Sequence, residues 1–304
     1  MTGARPASRD LFGLLLLDKP LGLSSNKALQ RAKRLFGAAK AGHAGSLDPL
    51  ATGMLPVFFG SATRLAAYML EARKTYRVSA ALGSATTTGD AEGATTEDRS
   101  KEPPPDRARI VAAANGFVGE IEQVPPMYSA LKRDGVPLYR LARSGVEVER
   151  APRRVLIEEL VIERYEWPVL DFQVRCSKGT YVRTLVEDIA RAAGTLGHVA
   201  ALRRLTVGPF EEKGMRTLAE LEAAATAGVS ALDALLLPAE MALTGWPTAH
   251  LASIDVARLT RGQAVPASPE LPSGDIKIFA GGQFIAIGRV TEDRRLAPTR
   301  VFIR

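Results

Sequence analysis

The sequence predicts an α+β fold, and three features of it do so. Short leucine-rich or β-branched runs are interspersed with amphipathic helical stretches along most of the chain. Two such runs, Arg154 to Tyr165 and Leu170 to Cys176, stand in tandem across Trp167-Pro168 and read as strands of one sheet. Beyond Trp246-Pro247 the texture turns to a β-hairpin, so a small β-rich unit closes the chain. With 304 residues, 46% of them hydrophobic, there is material for one large domain and a small one.

The first element is the apolar run Leu14 to Leu17, ended by Asp18-Lys19-Pro20-Leu21-Gly22. It is too short for a signal-peptide core or a membrane span and reads as a buried strand emptying into a turn; the small, polar Met1 to Arg9 ahead of it carries no such signal either. Ser24 or Ser25 then caps a helix. Its Ala28, Leu29, Ala32, Leu35 and Phe36 share one face and leave Lys27, Arg31, Lys33 and Arg34 on the others. Gly42 to Leu55, reading GHAGSLDPLATGML, suits neither a helix nor a strand interior: three glycines permit close backbone approach, and Pro49 pushes Asp48 toward an extended conformation. The whole stretch reads as a shaped loop holding His43, Ser46, Asp48 and Thr52, although an Asp before Pro is by itself most often a turn cap. Ser61 can cap a helix through Leu65, Ala66, Met69 and Leu70, and Lys74 to Leu82 reads as a strand entered by Tyr76. Gly83 to Asp106 is a long polar turn region containing Asp90, and Asp106 opens a helix to about Phe117.

From Gln123 a stretch without sustained apolar period carries Lys132, Arg133, Arg140, Arg143, Arg150, Arg153 and Arg154, with Tyr128 and Tyr139 interleaved. Solvated charge is the default for such a run, yet few acids balance it, and bases alternating with aromatics suit a surface that grips RNA by phosphate contact and stacking. After the tandem strands, CSKGTYVRTLVEDIARAAG passes through Lys178-Gly179 into a helix capped by Thr180, with Leu185, Ile189 and Ala192 inward. Arg183 falls in its first turn, where the helix dipole disfavours a cation, so a carboxylate partner is expected. Leu202 is core by type; His198 has no metal-ligand neighbours and reads as a satisfied structural histidine. An Ala-rich helical stretch follows. In the tail, Leu259 to Val265 is a short helix and turn, Ile276 to Phe279 and Phe284 to Val290 flank Gly281-Gly282 as a hairpin, and Val301 to Ile303 is a final strand.

Several of these segments together resemble the TruB-type tRNA pseudouridine synthases. GHAGSLDPLATGML resembles the family's active-site motif, with Ala44 and Ser46 where members often carry other small residues. DKPLGLSS, the K-x-Y-R-V segment at Tyr76, the segment around Asp90, PPMYSALK, KGTYVR and the Gly197 to Phe210 stretch resemble further motifs, so the likeness spans nearly the whole chain. It implies a mixed, largely antiparallel central β-sheet flanked by helices, with the active-site cleft across the sheet. It also implies a catalytic domain over residues 1–248 with an RNA-gripping insertion at about 124–154, and a PUA-like RNA-binding domain over 249–304. Asp48 is then the catalytic carboxylate paired with Arg183, Tyr76 stacks on the target uracil, Asp90 helps frame the uridine site, Tyr181 and Leu202 line the base pocket, and His43 belongs to the loop that takes the place of the flipped nucleotide. Lys132, Arg140, Arg143, Arg150, Arg153 and Arg154 become contacts to the RNA backbone. The implied reaction converts the T-loop uridine at position 55 of tRNA to pseudouridine, in the cytoplasm, by a monomer that needs no cofactor, metal or protein partner.

Composition agrees without deciding. A net charge of +7 and a pI near 9.7 favour a polyanionic partner. A single cysteine, Cys176, excludes an internal disulfide framework and suits a reducing compartment, and three scattered histidines make no ligand cluster. Two other classes remain open at this level. A non-catalytic RNA binder explains the charge but leaves the Asp-bearing loop without a task, and a hydrolase of the glycosidase kind needs a second carboxylate that the motifs do not offer.

Overall fold

The leucine run near the start is buried on both faces: Leu14, Leu15 and Leu17 expose 0% of their surface and Leu16 3%. Burial of that kind requires a sheet covered on both sides. In the computed structural model, which describes residues 8–302, Gly13–Lys19 lies inside such a sheet; the readings placed on residues 1–7 and on Ile303 fall outside the described residues. The strand order is Arg216–Thr217, Gly13–Lys19, Ala51–Phe59, Gly197–Val207, Lys74–Leu82, Val169–Cys176, Arg153–Glu166, Gly119–Gln123, and Ala41–His43 shares an edge of Ala51–Phe59. Two pairings are parallel, Gly13–Lys19 with Arg216–Thr217 and Ala51–Phe59 with Gly197–Val207; the other six are antiparallel. The sheet is therefore mixed and largely antiparallel.

Period-two alternation distributes the side chains. Leu15 and Leu17 join Leu55, Val57 and Phe59 under the helices Ser25–Leu35 and Leu218–Ala227, whereas Leu14, Leu16, Met54 and Phe58 face Leu65, Met69 and Leu243. On the other half of the sheet, Val78, Ala80, Phe172 and Val174 bury the apolar faces of Arg107–Asn115 and Val182–Ala192. Ser24 and Asp106 cap their helices through bonds from Lys27 N and Arg109 N.

Several sequence expectations shift. Only the middle of the glycine-rich motif is loop, because Gly42 and His43 belong to the Ala41–His43 strand and Ala51–Leu55 enters the Ala51–Phe59 strand; Gly53, at φ +96°, lets the Arg204 backbone approach so closely that a Cβ would lie 2.3 Å from its carbonyl oxygen. Ser61 caps nothing: the chain turns at Gly60, where a Cβ would strike the Leu11 carbonyl, and a 3-10 helix Gly60–Leu65 precedes a short α-helix Ala66–Leu70. The polar region after Gly83 contains a two-stranded ribbon, Ser84–Thr86 with Thr95–Asp98. Tyr181, not Thr180, occupies the N-cap of Val182–Ala192, since the Thr180 hydroxyl donates to Ser177 O at 3.1 Å.

Gln123 pairs with Arg153 across adjacent strands, so residues 124–152 leave and re-enter the sheet at one point, carrying the ribbon Lys132–Arg133/Val136–Pro137 and the helix Leu138–Arg143. The tail forms a second sheet in the order Thr248–His250, Gly274–Ala280, Gln283–Val290, Arg295–Val301, Val265–Pro266, covered by helix Ser253–Thr260, whose Leu259 joins Ile276 and Ile278 in one core. The final strand thus ends at Val301 rather than beginning there. The two sheets share a core at Ile287 and Phe302, with Phe302 at 5.7 Å from Phe12 and 5.2 Å from Phe284, centroid to centroid.

Candidate active site

The loop carrying Asp48 is held from below by the segment after the first strand. Lys19 is fully buried, and its Nζ donates to Pro20 O at 2.9 Å, Leu23 O at 2.6 Å and Pro49 O at 3.3 Å. Ser25 Oγ accepts from Leu47 N at 2.7 Å and donates to Leu47 O at 2.9 Å, and Gly22 N donates to Pro49 O at 2.9 Å. These bonds fix the main chain on both sides of Asp48. Burial pushes the Lys19 ammonium down to about 8, while the nearby Asp48 carboxylate opposes the shift.

Arg183 meets Asp48 from across the site. Its Nη2 lies 3.0 Å from Asp48 Oδ2 and donates to Tyr128 O at 2.7 Å, its Nη1 donates to Thr88 O at 2.7 Å, and its Nε is 3.7 Å from Asp90 Oδ2. One guanidinium therefore joins the motif loop, the turn at Asp90, the start of the 124–152 excursion and its own helix. The expected carboxylate partner is present, and it is Asp48. Low-dielectric walls raise the Asp48 carboxyl above its ordinary range, and Arg183 pulls it back.

Asp48, Tyr76, Tyr181, Arg183 and Leu202 line one cavity of about 350 Å³, large enough for a small-molecule-sized group. Tyr181 is positioned by Gln123, whose Oε1 accepts from Tyr181 N at 3.0 Å and whose Nε2 donates to Tyr181 O at 3.4 Å. Leu202 pairs with Ala51 and Val78 in neighbouring strands. Burial raises the phenols of Tyr76 and Tyr181, so both stay protonated near neutral pH. Asp90 and His43 do not line the cavity. Asp90 is buried behind Arg183 and is also a turn residue, its Oδ1 accepting from Thr88 Oγ1 at 2.5 Å and Glu92 N at 3.1 Å. His43 lies in Ala41–His43, its Nδ1 buried with no hydrogen-bond partner and its ring kept neutral by burial and then by Arg204. His198 Nδ1 is within 3.1 Å of Ser84 O.

Sequence reasoning missed Arg204, Lys74 and Gln123, whose residue types carry no signal of depth within a sheet. Arg204 is 1% exposed, yet it lines the cavity, donating from Nε to Met54 O at 2.7 Å and from Nη2 to Gly45 O at 3.0 Å. Lys74 lines it too, its Nζ donating to Leu70 O at 3.0 Å and Ala72 O at 2.5 Å.

The basic residues of the excursion, and those at the start of the strand it returns to, lie outside this cavity. Lys132, Arg140, Arg143, Arg153 and Arg154 are exposed; Arg143 sits 5.7 Å over the Tyr139 ring and Arg154 is 4.0 Å from Glu122. Arg150 differs, being tied to Pro125 O at 3.4 Å and Glu147 at 3.3 Å with a buried Nε, so packing takes part of its donor set.

The model of the TruB family pseudouridylate synthase N-terminal domain matches residues 33–182, which hold the loop, Tyr76 and the excursion. The chain belongs to the TruB family. Models of the tRNA pseudouridylate synthase B C-terminal domain and of the pseudouridine synthase II TruB C-terminal region match residues 183–244 and 247–302. A tRNA pseudouridine synthase B of Nitrosococcus oceani is 49% identical over 96% of this chain and 95% of its own length, and one of Pseudomonas fluorescens 48% identical over 99% of each. Among solved structures, a chain of a Cbf5-Nop10-Gar1 complex matches 96% of this TruB-family chain and 85% of its own with a TM-score of 0.73 at 26% identity. A chain of an H/ACA RNP bound to a substrate RNA containing 2'-deoxyuridine matches at 0.72 and 24% identity, a likeness of fold alone.

Proposed function

We propose that this TruB-family enzyme converts the T-loop uridine at position 55 of tRNA to pseudouridine, with Asp48 acting on a nucleotide flipped into the cavity it lines. The observation that carries the reading is the Asp48–Arg183 pair at 3.0 Å beside Tyr76 in one cavity. Isomerisation breaks the bond from ribose C1′ to uracil N1 and makes one from C1′ to C5, so the base must leave the RNA stack, at a cost of a few kcal/mol. Tyr76 offers a face on which the extruded ring rests, and Tyr181 and Leu202 close the walls. Arg183 keeps Asp48 ionised, and therefore nucleophilic, in a site whose burial favours the neutral acid. Asp48 attacks the ring, attacks C1′, or acts through the ribose.

Asp48 is the sole carboxylate among the described residues lining the cavity, which counts against a two-carboxylate hydrolase. His43, the last residue of the strand that leads into the motif loop, helps take the place of the flipped nucleotide, Asp90 frames the site by bracing Arg183, and Lys132, Arg140, Arg143, Arg150, Arg153 and Arg154 hold the RNA backbone. Residues 1–248 form the catalytic domain and 249–304 a PUA-like RNA-binding domain, the whole acting on the T-stem loop as a cytoplasmic monomer. No helix among the described residues is long and apolar enough to cross a membrane.

Incubation with an unmodified full-length tRNA transcript, without added cofactor, is expected to yield one pseudouridine in the T loop. Asp48→Asn should abolish turnover while RNA affinity changes by less than about tenfold, ~1.4 kcal/mol. An unmodified transcript with the parent chain, or near-parent turnover in Asp48→Asn, would overturn the assignment.

A further inference from the structure

Arg204 and Lys74 are the two cations lining the catalytic cavity that make no ion pair with a carboxylate among the described residues. Both are almost wholly buried, and their nitrogens meet neutral groups: the Met54 and Gly45 carbonyls and the Tyr76 hydroxyl for Arg204, the Leu70 and Ala72 carbonyls for Lys74. They are close together. A Cβ at Gly45 would lie 3.4 Å from Arg204 Nη1 and 3.9 Å from Lys74 Cε. Arg204 is also the direct cross-strand partner of Tyr76, so the cations lie beside the ring on which the base is proposed to rest. Glu71, the nearby acid, is engaged by Lys178. Two buried, unneutralised cations are expensive unless something anionic shares their site at some stage.

We propose that Lys74 and Arg204 form an anion site for the uracil ring itself, stabilising the negative charge the base carries between bond breaking and bond making. The inference rests on the pseudouridine synthase reading, and it holds on each route open to Asp48. If Asp48 attacks C1′, or removes a proton from the ribose, the C1′–N1 bond breaks with its electron pair going to the base, which leaves as a uracil anion with charge over N1 and its two carbonyl oxygens. If Asp48 adds to the ring, the pair displaced from the ring double bond is held as an enolate on a carbonyl oxygen. On the ring-addition route the C1′–N1 bond then breaks as well. On every route C5 bonds to C1′ as the Asp48 oxygen leaves C1′ or the ring, or as Asp48 returns its proton to the ribose. The C5 proton is lost, N1 gains one, and the charge disappears with no net change in composition. A cation pair set in low dielectric beside that oxygen-bearing edge favours the charged state over the neutral substrate, which is the condition for accelerating the step rather than merely tightening binding. Burial lowers Lys74 to about 8, so it remains mostly protonated near neutral pH.

The test compares uridine with 5-fluorouridine at the target position, in single-turnover reactions at saturating RNA. Fluorine makes the uracil anion less basic, so its formation depends less on the protein's cations. It also blocks the final proton loss, so the reaction is read as disappearance of the parent nucleoside from digests. Lys74→Met should slow the uridine reaction by roughly a hundredfold, the order lost when one donor to a developing oxyanion is removed, and slow the 5-fluorouridine reaction by clearly less. Lys74→Gln, whose amide can still donate to a main-chain carbonyl, should show the same selective loss, and Lys74→Arg should restore the uridine rate. Equal loss on both substrates in either folded uncharged variant, or no loss on uridine, overturns the proposal. A parent chain that leaves uridine unchanged would instead remove the functional reading beneath it.

Discussion

At the residue scale, the Asp48–Arg183 pair makes a signed prediction about pH. The carboxyl is raised by burial and lowered by Arg183, and the reaction needs it ionised. The rate at saturating RNA should therefore fall on the acid side through a value above the ordinary Asp pKa of about 3.9. Arg183→Met removes the opposing influence, so its acid limb should lie at higher pH than the parent's; a limb that moves down would exclude Arg183 as the group that keeps Asp48 charged. Lys19 titrates in the opposite sense. Its folded pKa of about 8 lies below the ordinary 10.5, so between those values the unfolded chain binds more protons than the folded one, and this lysine's contribution to stability rises with pH. Lys19→Met leaves the Pro20, Leu23 and Pro49 carbonyls short of a donor and should cost about 1–3 kcal/mol near neutral pH, with a larger cost near pH 10. Denaturant unfolding of both chains at the two pH values checks the trend, and a cost that shrinks with pH would contradict it.

At the element scale, the excursion between the paired residues Gln123 and Arg153 separates holding RNA from acting on it. Its exposed Arg140 and Arg143, and Arg153 and Arg154 at the start of the strand it returns to, are outside the cavity lining. Replacing them together by Ala should weaken RNA binding and flatten its salt dependence by about 0.7 to 0.9 per phosphate contact removed, while the single-turnover rate at saturating RNA survives. Collapse of that rate with an unchanged salt slope would make the segment part of the catalytic scaffold. Arg150 should contribute less to the slope than its neighbours, because Pro125 and Glu147 already use its donors. This is also the scale at which legibility in the sequence varies most. Strands and helices with clear periods, such as Gly13–Lys19, Lys74–Leu82 and Ser25–Leu35, could be read directly, and so could the pairing expected of Arg183. Ser61 and Thr180 misled because a capping residue type is a local signal, whereas Gly60 packed on Leu11 and Gln123 gripping Tyr181 are contacts across the fold. Arg204 was illegible for the same reason: only the crossing of Gly197–Val207 with Ala51–Phe59 at Gly53 places a charged side chain so deep.

At the scale of the whole molecule, the tail is joined to the body by packing rather than by a linker alone. Ile287 and Phe302 share a core with Leu14, Met54 and Phe58 of the large sheet, Phe12 lies against both Phe284 and Phe302, and Arg64 and Arg300 each donate to a main-chain carbonyl across the junction. If residues 249–304 were an independently hinged RNA-binding domain, removing them would lower RNA affinity and leave the body's stability intact. The shared core argues otherwise, since truncation would uncover apolar side chains of the central sheet to water. The full chain is expected to unfold in a single transition, and Phe302→Ala, at a residue 4% exposed, should destabilise that one transition by about 3–5 kcal/mol. Calorimetry of the parent and the variant distinguishes the cases, because two separable transitions, with only the smaller one moved by Phe302→Ala, would mean that the tail folds alone and the aromatic junction is incidental. A single shifted transition would mean that the second sheet is held in fixed register with the cavity, so that any RNA it contacts is measured from the same frame as Asp48.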